Sequence, residues 1–439
     1  MSSMYSTTLK TQYLDPRTDI SNKTTEFRLD RDTAYYPNMT IAGLGATCAN
    51  TTAWNALGGV YALIRHARLM DGRIELDSVR FYNRWASFQN VNNTNKRNVE
   101  VMGQFNKSAN GYVLQDDNKV QEASAYLYSK YCHPTTTHNE TFEGLLDLRN
   151  VLPILNNVSY LDTTIFKNLK VVIEWETDNL QILQNDLAFH SSLTPTLVVD
   201  EIKDTARIAE MKQSLNTIVW NAIEHDVVQI NDGTAVANAF GADTDTQEQN
   251  TNRQLNGFDN KILGRVVMMK TFSDKTKNFV ANAVQGCGDY SSYAMHNEIF
   301  QCRVNGKNLF PSSGLTKSSQ KQMLMYQTWG TCNIPPFGAE PSIGLDQAGA
   351  VSVNVNGMLD FTQTGNQPAS VNHKVGQFDF IGFEVNSRIN QLNIDYKRTL
   401  IKDNLSTIQR NNLGLDLHIF GEVQRSLTIS QNNYNVKYL

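Results

Sequence analysis

Residues 169–176 have the sequence LKVVIEWE, and this stretch decides the fold class. Every second side chain is apolar, so an extended chain would carry these side chains on one face. They belong to Leu169, Val171, Ile173 and Trp175. A strand that is apolar on one face only is typical of antiparallel sheets packed face to face. The stretch therefore predicts one strand of a β-sandwich.

The same alternation recurs in both halves of the chain. Residues 413–419, LGLDLHI, again carry an apolar side chain at every second position. Residues 197–202, LVVDEI, and residues 217–223, TIVWNAI, have strand-like composition on either side of a polar connection. The dominant period of two, rather than 3.6, predicts an all-β protein built from antiparallel sandwiches.

Four turn motifs punctuate these strands. Asparagine or aspartate followed by glycine tolerates the positive φ angles of tight hairpin turns. Each pair has strand-like residues on at least one side, so we expect several hairpins. The pairs are Asp71-Gly72, Asn256-Gly257, Asn305-Gly306 and Asn356-Gly357.

Helical patterns are few and short. Residues 142–152, FEGLLDLRNVL, have apolar positions at helical spacing, and Pro153 follows them. We therefore predict one helix laid against the end of a sandwich, and a second around Asp204 to Gln213. The apolar face of the first would consist of Leu145, Leu148, Val151 and Leu152.

The length of 439 residues and the hydrophobic content of 40% suit two domains, each with its own core. The polar connection between the two central strands suits a linker, so we place one sandwich at residues 31–207 and the other at residues 208–439. Residues 1–30 are polar and lack sustained alternation, which predicts an extended N-terminal arm. Residues 241–252, GADTDTQEQNTN, predict an exposed loop.

Charge and hydropathy argue against two classes of protein. A formal net charge of −4 provides no excess of Lys and Arg to neutralise a phosphate backbone, so direct binding of nucleic acid is disfavoured. No stretch approaches the roughly 18 consecutive apolar residues of a membrane-spanning helix. The first residues lack the basic and apolar regions of a signal peptide, so we expect a soluble chain that is not secreted.

The five cysteines are odd in number and widely spaced, which favours free thiols in a reducing compartment over a disulfide framework. They are Cys48, Cys132, Cys287, Cys302 and Cys332.

A search for catalytic motifs finds no phosphate-binding Gly-x4-Gly-Lys-Ser/Thr, no His-Glu-x-x-His, no Gly-x-Ser-x-Gly and no Cys-x-x-Cys. We therefore predict a structural protein and not an enzyme. We expect no catalytic, cofactor-binding or metal-binding residues and no cofactor.

Two polar clusters could contradict this expectation. Cys132, His133 and His138 could hold zinc, but a structural zinc takes four ligands and no partner pair has suitable spacing, so a polar loop is favoured. Residues 224–226, Glu-His-Asp, suggest acid–base chemistry. Neighbours on a strand point to opposite faces, which favours an exposed polar edge instead.

A third cluster consists of Asp243 and Asp245 in the predicted acidic loop. Two carboxylates attract divalent cations, but calcium needs six to eight oxygen ligands around a tight turn. The run lacks the spacing of a calcium loop, so a solvated loop is favoured.

Several segments resemble the double jelly-roll major capsid proteins of the lineage that includes adenoviruses, virophages and the Maverick or Polinton viruses. Residues 62–75, ALIRHARLMDGRIE, followed by residues 81–83, FYN, are similar to an early strand and hairpin of that family. Residues 300–312, FQCRVNGKNLFPS, and residues 415–423, LDLHIFGEV, resemble strands of the second jelly roll. The aromatic N-terminal signature of large algal-virus capsid proteins is not seen.

The resemblance implies two eight-stranded jelly rolls in one subunit. It also implies a homotrimer with six lobes, a pseudo-hexagonal capsomer that tiles an icosahedral shell. The expected partners are other copies of the chain, neighbouring trimers, and penton and minor capsid or cement proteins. The expected location is the virion, after synthesis inside the host cell.

Two other functions remain open from the sequence. A carbohydrate-binding or host-attachment β-sandwich, like a spike or lectin, could use exposed tryptophans as platforms, although Trp175 and Trp220 lie in strand patterns that favour the core. A glycoside-cleaving sandwich would need two carboxylates facing each other across a cleft. The tryptophans are Trp54, Trp85, Trp175, Trp220 and Trp329.

Overall fold

The computed structural model of the chain describes about half of its residues. They are residues 9–17, 23–47, 59–92, 141–176, 195–204, 206, 208–209, 217–230, 246–272, 298–330, 380–401, 415–430 and 433–439. Strands predominate, as the alternating pattern predicts.

The first half of the chain contributes ten strands and one α-helix to the described structure. The strands are β1 (Leu9–Leu14), β2 (Thr24–Arg28), β3 (Ala34–Tyr35), β4 (Thr40–Thr47), β5 (Ile64–Asp71), β6 (Ile74–Arg80), β7 (Thr141–Asp147), β8 (Leu161–Asp162), β9 (Leu169–Trp175) and β10 (Thr196–Ile202). Helix α1 is Tyr82–Asn92, and short 3-10 turns lie at Gly59–Leu63, Leu148–Asn150 and Pro153–Asn156.

The second half contributes nine strands and a second helix. The strands are β11 (Thr217–Ile230), β12 (Thr246–Gln254), β13 (Lys261–Phe272), β14 (Glu298–Val304), β15 (Lys307–Asn308), β16 (Ile381–Ile389), β17 (Leu392–Ile401), β18 (Leu415–Ser430) and β19 (Asn433–Tyr438). Helix α2 is Ser318–Trp329, and a 3-10 turn lies at Asn256–Phe258.

The two halves have the same strand order. In the second half one sheet runs β11-β18-β13-β16 and the other β12-β17-β14-β15. In the first half one sheet contains β1-β10-β4-β7 and the other β2-β9-β5-β6. If β3, β8 and β19 are left aside and the other eight strands of each half are numbered in chain order, both halves have the order 1-8-3-6 facing 2-7-4-5. This is the arrangement of a jelly roll, so the predicted fold of two consecutive antiparallel jelly rolls is confirmed.

The additional strands extend these sheets. In the first sandwich the short strand β3 pairs with the end of β10, and β8 pairs with β3. In the second sandwich β19 pairs with the end of β18. Every strand pair between described residues is antiparallel.

The interior is filled by the alternating apolar side chains. In β9, Leu169, Val171, Ile173 and Trp175 are all buried, as their spacing predicts. The expectation of two separate cores needs a correction, because the buried apolar residues of both sandwiches form one contiguous cluster. The sheets close separately, but the sandwiches share a packed contact.

Two of the predicted hairpins are present. Asp71-Gly72 connects β5 to β6, and Asn305-Gly306 connects β14 to β15. Gly72 has φ of 58°, and Asn305 and Gly306 have φ of 51° and 81°, the left-handed conformation for which these residues are suited. Asn256-Gly257 is not a hairpin, since it lies in a 3-10 turn that joins strands of two different sheets. Asn356-Gly357 lies outside the described residues.

The predicted helix at residues 142–152 is wrong. Thr141–Asp147 forms strand β7, which pairs with β4, and a 3-10 turn follows it. Leu148, Val151 and Leu152 are buried, whereas Leu145 is 37% exposed. The helical spacing of the apolar residues therefore arises from a strand followed directly by a turn. Pairing of β7 with β4 overrides the helical preference of this segment.

Two polar segments that were predicted to lack strands contain strands. The extended arm assigned to residues 1–30 is incorrect where the structure describes it, because Leu9–Leu14 pairs with β10 and Thr24–Arg28 pairs with β9. The loop assigned to residues 241–252 ends earlier than expected, because Thr246–Gln254 pairs with β17. Strand β12 has the sequence TQEQNTNRQ, in which every side chain is polar, so no apolar alternation marks it.

The change from one sandwich to the other falls between Ile202 and Thr217, and the proposed boundary at residues 207 and 208 lies in this interval. The helix predicted around Asp204 to Gln213 is described only in part. There the amide of Ile208 donates to the carbonyl of Asp204 at 3.0 Å, which is the spacing of one helical turn. No helix in the described part of the chain is long and apolar enough to cross a membrane.

Gly421 of β18 provides a test of the second core. A Cβ atom at this position would lie 2.6 Å from Cε1 of Phe258 and 2.9 Å from Cδ1 of Leu263. Gly421→Ala should lower the free energy of unfolding by about 1–3 kcal/mol through overpacking. Urea unfolding followed by circular dichroism measures the change. Gly257→Ala is the control, because the nearest atom to its Cβ would be 3.5 Å away; equal losses in the two variants would contradict the packing described here.

Candidate functional site: the contact between the two sandwiches

The described residues include no group of three or more His, Cys, Asp or Glu side chains placed to hold a metal ion. Of the predicted polar clusters, Cys132, His133, His138, Asp243 and Asp245 lie outside the described residues. The remaining cluster, residues 224–226, lies where the two sandwiches meet. This contact is the candidate functional site, because it fixes how the two halves of the chain are held together.

An aromatic cluster joins the helices of the two sandwiches. Trp85 and Phe88 of α1 are buried and meet Trp329 of α2 at ring distances of 5.9 and 5.1 Å. Both contacts are edge to face, which is a favoured geometry for aromatic rings. Phe380 and Phe420 complete the cluster from the second sandwich, at 5.3 Å from Phe88 and 5.4 Å from Trp85.

Helix α2 is held against its own sheet by the same tryptophan. The indole nitrogen of Trp329 donates to the carbonyl of Val266 at 3.3 Å. The guanidinium of Arg265 lies 4.2 Å from the centre of the Trp329 ring and binds Glu422 through two hydrogen bonds of 2.8 and 2.5 Å. The side of the cluster that faces solvent is therefore covered by a fixed ion pair.

A pair of histidines lies next to this cluster. Nε2 of His225 in β11 and Nδ1 of His418 in β18 are 3.0 Å apart. Phe81, which precedes α1 in the first sandwich, lies 4.6 Å from the His225 ring and 5.4 Å from the His418 ring. Phe420 lies 4.7 Å from the His225 ring. The prediction of an exposed polar edge at His225 is wrong, because the first sandwich covers this part of the edge strand.

Burial and two nearby cations disfavour a charge on His225. Enclosure between aromatic rings, with Arg84 and Arg80 close by, lowers the pKa of His225 to about 3. The imidazole is therefore neutral at physiological pH and serves as a hydrogen-bonding aromatic ring.

The flanking acids point to the other face of β11. Glu224 binds Lys261 at 3.5 Å and accepts a hydrogen bond from the Tyr438 hydroxyl. Asp226 accepts from the amide of Val227 at 2.8 Å. The three residues thus do not act together, and no acid–base triad forms at this position.

An arginine of the second sandwich reaches into the first. Arg425 of β18 is buried and donates to the carbonyl of Glu75 at 3.2 Å. Its guanidinium lies 3.9 Å from the carboxylate of Asp77, which is fully buried. Asp77 also accepts from the amides of Ile154 at 2.8 Å and Ser78 at 3.0 Å. Even so, burial raises the pKa of Asp77 to about 7.

Strand β19 adds a further polar connection. The hydroxyl of Tyr434 donates to Asp71 of the β5–β6 hairpin at 2.8 Å, and its ring lies 4.9 Å from Phe166. Asp71 also accepts from the amide of Asn168 at 2.6 Å. The hairpin predicted at Asp71-Gly72 is therefore a docking point for the second sandwich.

Sequence reasoning missed most of this contact. The strand pattern placed Trp220 in the core, and it is buried under Arg425, whose guanidinium lies 5.7 Å from its ring. A buried polar pair such as Asp77 and Arg425 leaves no mark in the sequence, because its two members are about 350 residues apart. A usable signal was present in residues 81–88, where the aromatic side chains of Phe81, Tyr82, Trp85 and Phe88 accumulate.

Comparison with models of known families finds no match, and comparison with curated proteins finds none either. Solved structures do match over nearly the whole chain. The Sputnik virophage structure has a TM-score of 0.55 at 10% identity and covers 98% of this chain and 88% of its own. The mavirus major capsid protein has 0.54 at 9% identity and covers 99% and 90%. A chain of the PBCV-1 virus capsid has 0.51 at 11% identity and covers 98% and 97%. The chain therefore has the double jelly-roll fold of these viral capsid proteins.

The raised pKa of Asp77 predicts a pH dependence with a definite sign. Its folded pKa of about 7 lies above the ordinary 3.8, so its contribution to stability is present below pH 3.8 and is lost as pH rises to 7. We expect the free energy of unfolding of the wild type, relative to that of Asp77→Asn, to fall by about 1.4 kcal/mol per pH unit in this window. Urea titrations at several pH values measure it. A difference that rises with pH would show instead that Arg425 keeps the carboxylate ionised.

Phe88 tests the aromatic cluster. Phe88→Ala should cost about 3–5 kcal/mol, because the ring is 1% exposed and touches three other aromatic side chains. Thermal unfolding should also separate into two transitions once the sandwiches are no longer coupled. Tyr326→Ala in α2 is the control, since Tyr326 is 62% exposed and should change stability by less than about 0.5 kcal/mol. Similar effects of the two substitutions would argue against a packed contact.

Proposed function

We propose that the chain is the major capsid protein of an icosahedral DNA virus. The observation that carries the proposal is the duplicated strand order, 1-8-3-6 facing 2-7-4-5, in two sandwiches joined by a buried contact. The likeness to capsid proteins of virophages and of PBCV-1 over nearly the full length supports the same role. In this role the protein acts by its shape, and no catalytic step or cofactor is required.

The geometry explains why two jelly rolls suit a shell. Three copies around a threefold axis present six similar sandwiches, so the homotrimer has a pseudo-hexagonal outline that can tile a surface. Association into such a trimer would bury more than about 2,000 Å², as obligate interfaces do. Contacts between neighbouring trimers would be smaller and polar, which allows misplaced units to detach during assembly.

The proposed partners follow from this geometry. They are two further copies in the trimer, neighbouring trimers in the shell, and penton and minor capsid or cement proteins that fill the remaining positions. The proposed location is the virion, after synthesis in the interior of the host cell. Direct packaging contacts with the genome are not proposed, because the net charge of −4 offers no cationic surplus.

The carbohydrate-binding alternative finds less support in the described residues. Trp85, Trp175 and Trp220 are all buried. Trp329 is half-buried, and Arg265 occupies one side of its ring. Trp54 lies outside the described residues. The tryptophans that the structure describes therefore serve the cores and the contact, and they do not form a stacking platform for a sugar.

Assembly state tests the proposal directly. Purified protein should elute as a trimer, with a mass by light scattering of three subunits that persists on dilution. Negative-stain images should show hexagonal particles with threefold features. A monomer at all concentrations would contradict the proposal, and specific binding on a glycan array would then favour the attachment function. Phe88→Ala should broaden the hexagonal outline of the particles, because its two sandwiches are less firmly joined. Tyr326→Ala, a surface variant in α2, is the control and should leave the outline unchanged.

A further inference from the structure

The two histidines lie in the contact between the sandwiches, where strands β11 and β18 of the second sandwich meet the start of α1 of the first. His225 comes from the edge strand β11, His418 from β18, and Phe81 from the turn that leads into α1. The rings are in mutual contact, with His225 and His418 stacked at 5.2 Å. A change in the charge of either histidine therefore alters its interaction with Phe81 of the first sandwich.

The hydrogen bond between the rings depends on protonation. One of the two facing nitrogens, Nε2 of His225 or Nδ1 of His418, must lack a hydrogen to accept from the other across 3.0 Å. When both imidazoles are cationic, two N–H groups face each other and the bond is lost. The neutral pair thus favours the closed contact, and the doubly charged pair opposes it.

The charged groups around the pair make this opposition stronger. Arg80 at the end of β6 and Arg84 in α1 act on His225 from the first sandwich. Arg65 of β5 lies over the Phe81 ring at 5.4 Å and adds a third cation on that side. The neighbouring carboxylates, Glu224 and Asp226, face the other side of the strand, where they have their own partners.

We propose that His225 and His418 form an acid-sensitive latch between the two jelly rolls, which loosens their contact when the pair takes up protons. The inference concerns the single subunit and stands whether or not the chain builds a shell. In physical terms, the latch is closed while the rings are neutral. A positive charge on His225, beside Arg80 and Arg84, pushes Phe81 and α1 away from β11.

The pH window follows from the pKa of His225. Its ordinary value is about 6.5, and in the closed contact it is lowered to about 3. The open state therefore binds a proton in a range where the closed state does not, so closure loses stability as pH falls below 6.5. Asp77, near Arg425, acts in the opposite direction, because its protonated form is the favoured one. The Asp77→Asn background separates the two effects.

The test compares near-ultraviolet and far-ultraviolet circular dichroism between pH 7.5 and pH 3. Near-ultraviolet signal reports the packed rings of Trp85 and Trp329 across the contact, and far-ultraviolet signal reports the strands. In the wild type we expect the first to be lost at a higher pH than the second. The double variant H225Q/H418Q should keep the contact to a pH at least one unit lower.

His66→Gln is the matched control. His66 is partly buried in β5, beside Glu174 of its own sandwich. Burial and the nearby Arg68, Arg80 and Arg65 lower its pKa to about 3 as well. This variant should leave the acid loss of the contact unchanged. Identical titrations of the wild type and H225Q/H418Q, or a shift caused equally by His66→Gln, would overturn the latch.

A second measurement needs no variant. Hydrogen exchange of the wild type at pH 7 and pH 4.5, corrected for intrinsic rates, should show α1 and β11 losing protection at the lower pH while β5 and β9 keep it. Loss of protection in all four elements together would mean that acid unfolds the sandwiches as wholes, and the latch would be rejected.

Discussion

The packing of α1 and the Phe81 turn against the second sandwich is the constraint on which the rest of the molecule depends. Each jelly roll closes its own two sheets, and no described strand pairs across the junction. The relative position of the two sandwiches is therefore set by side chains. Trp85, Phe88 and Trp329 do this with large rings that have few rotamers, so the contact buries much area at a low cost in conformational entropy.

Apolar rings alone would allow the sandwiches to slide, because the hydrophobic effect is non-directional. The polar groups inside the contact remove that freedom. Arg425 contacts both the Glu75 carbonyl and the Asp77 carboxyl group, and Tyr434 donates to Asp71. These three contacts form together only when the two sandwiches have one particular relative position. A buried charge contributes little net stability, since desolvation offsets attraction, yet leaving it unpaired is costly. These polar groups therefore determine the relative position of the two sandwiches but add little to the stability of their contact.

The sequence pattern predicts a strand correctly where its two faces differ in polarity. It does not reveal a strand whose two faces are alike. Strand β9 is apolar on one face and carries Lys170 and Glu174 on the other, so its spacing predicts it correctly. Strand β12 has polar residues on both faces, and only its pairing with β17 defines it as a strand. Strand β7 runs into a 3-10 turn, and the two together imitate helical spacing. The contact between the sandwiches was not predictable, because residues such as Asp77 and Arg425 become neighbours only when both jelly rolls have formed.

The same reasoning explains why the two halves share a strand order without a visible sequence repeat. Strand order is maintained by backbone hydrogen bonds and by alternation of apolar and polar side chains, and many residues satisfy both conditions. Identity can therefore fall to about a tenth, as it does against the virophage structures, while the order of the strands persists. The contact between the halves obeys a stricter rule, because rings and buried charges must match particular partners. Variation among proteins of this fold should accordingly be smaller at positions such as Trp85 and Arg425 than in the strands they join.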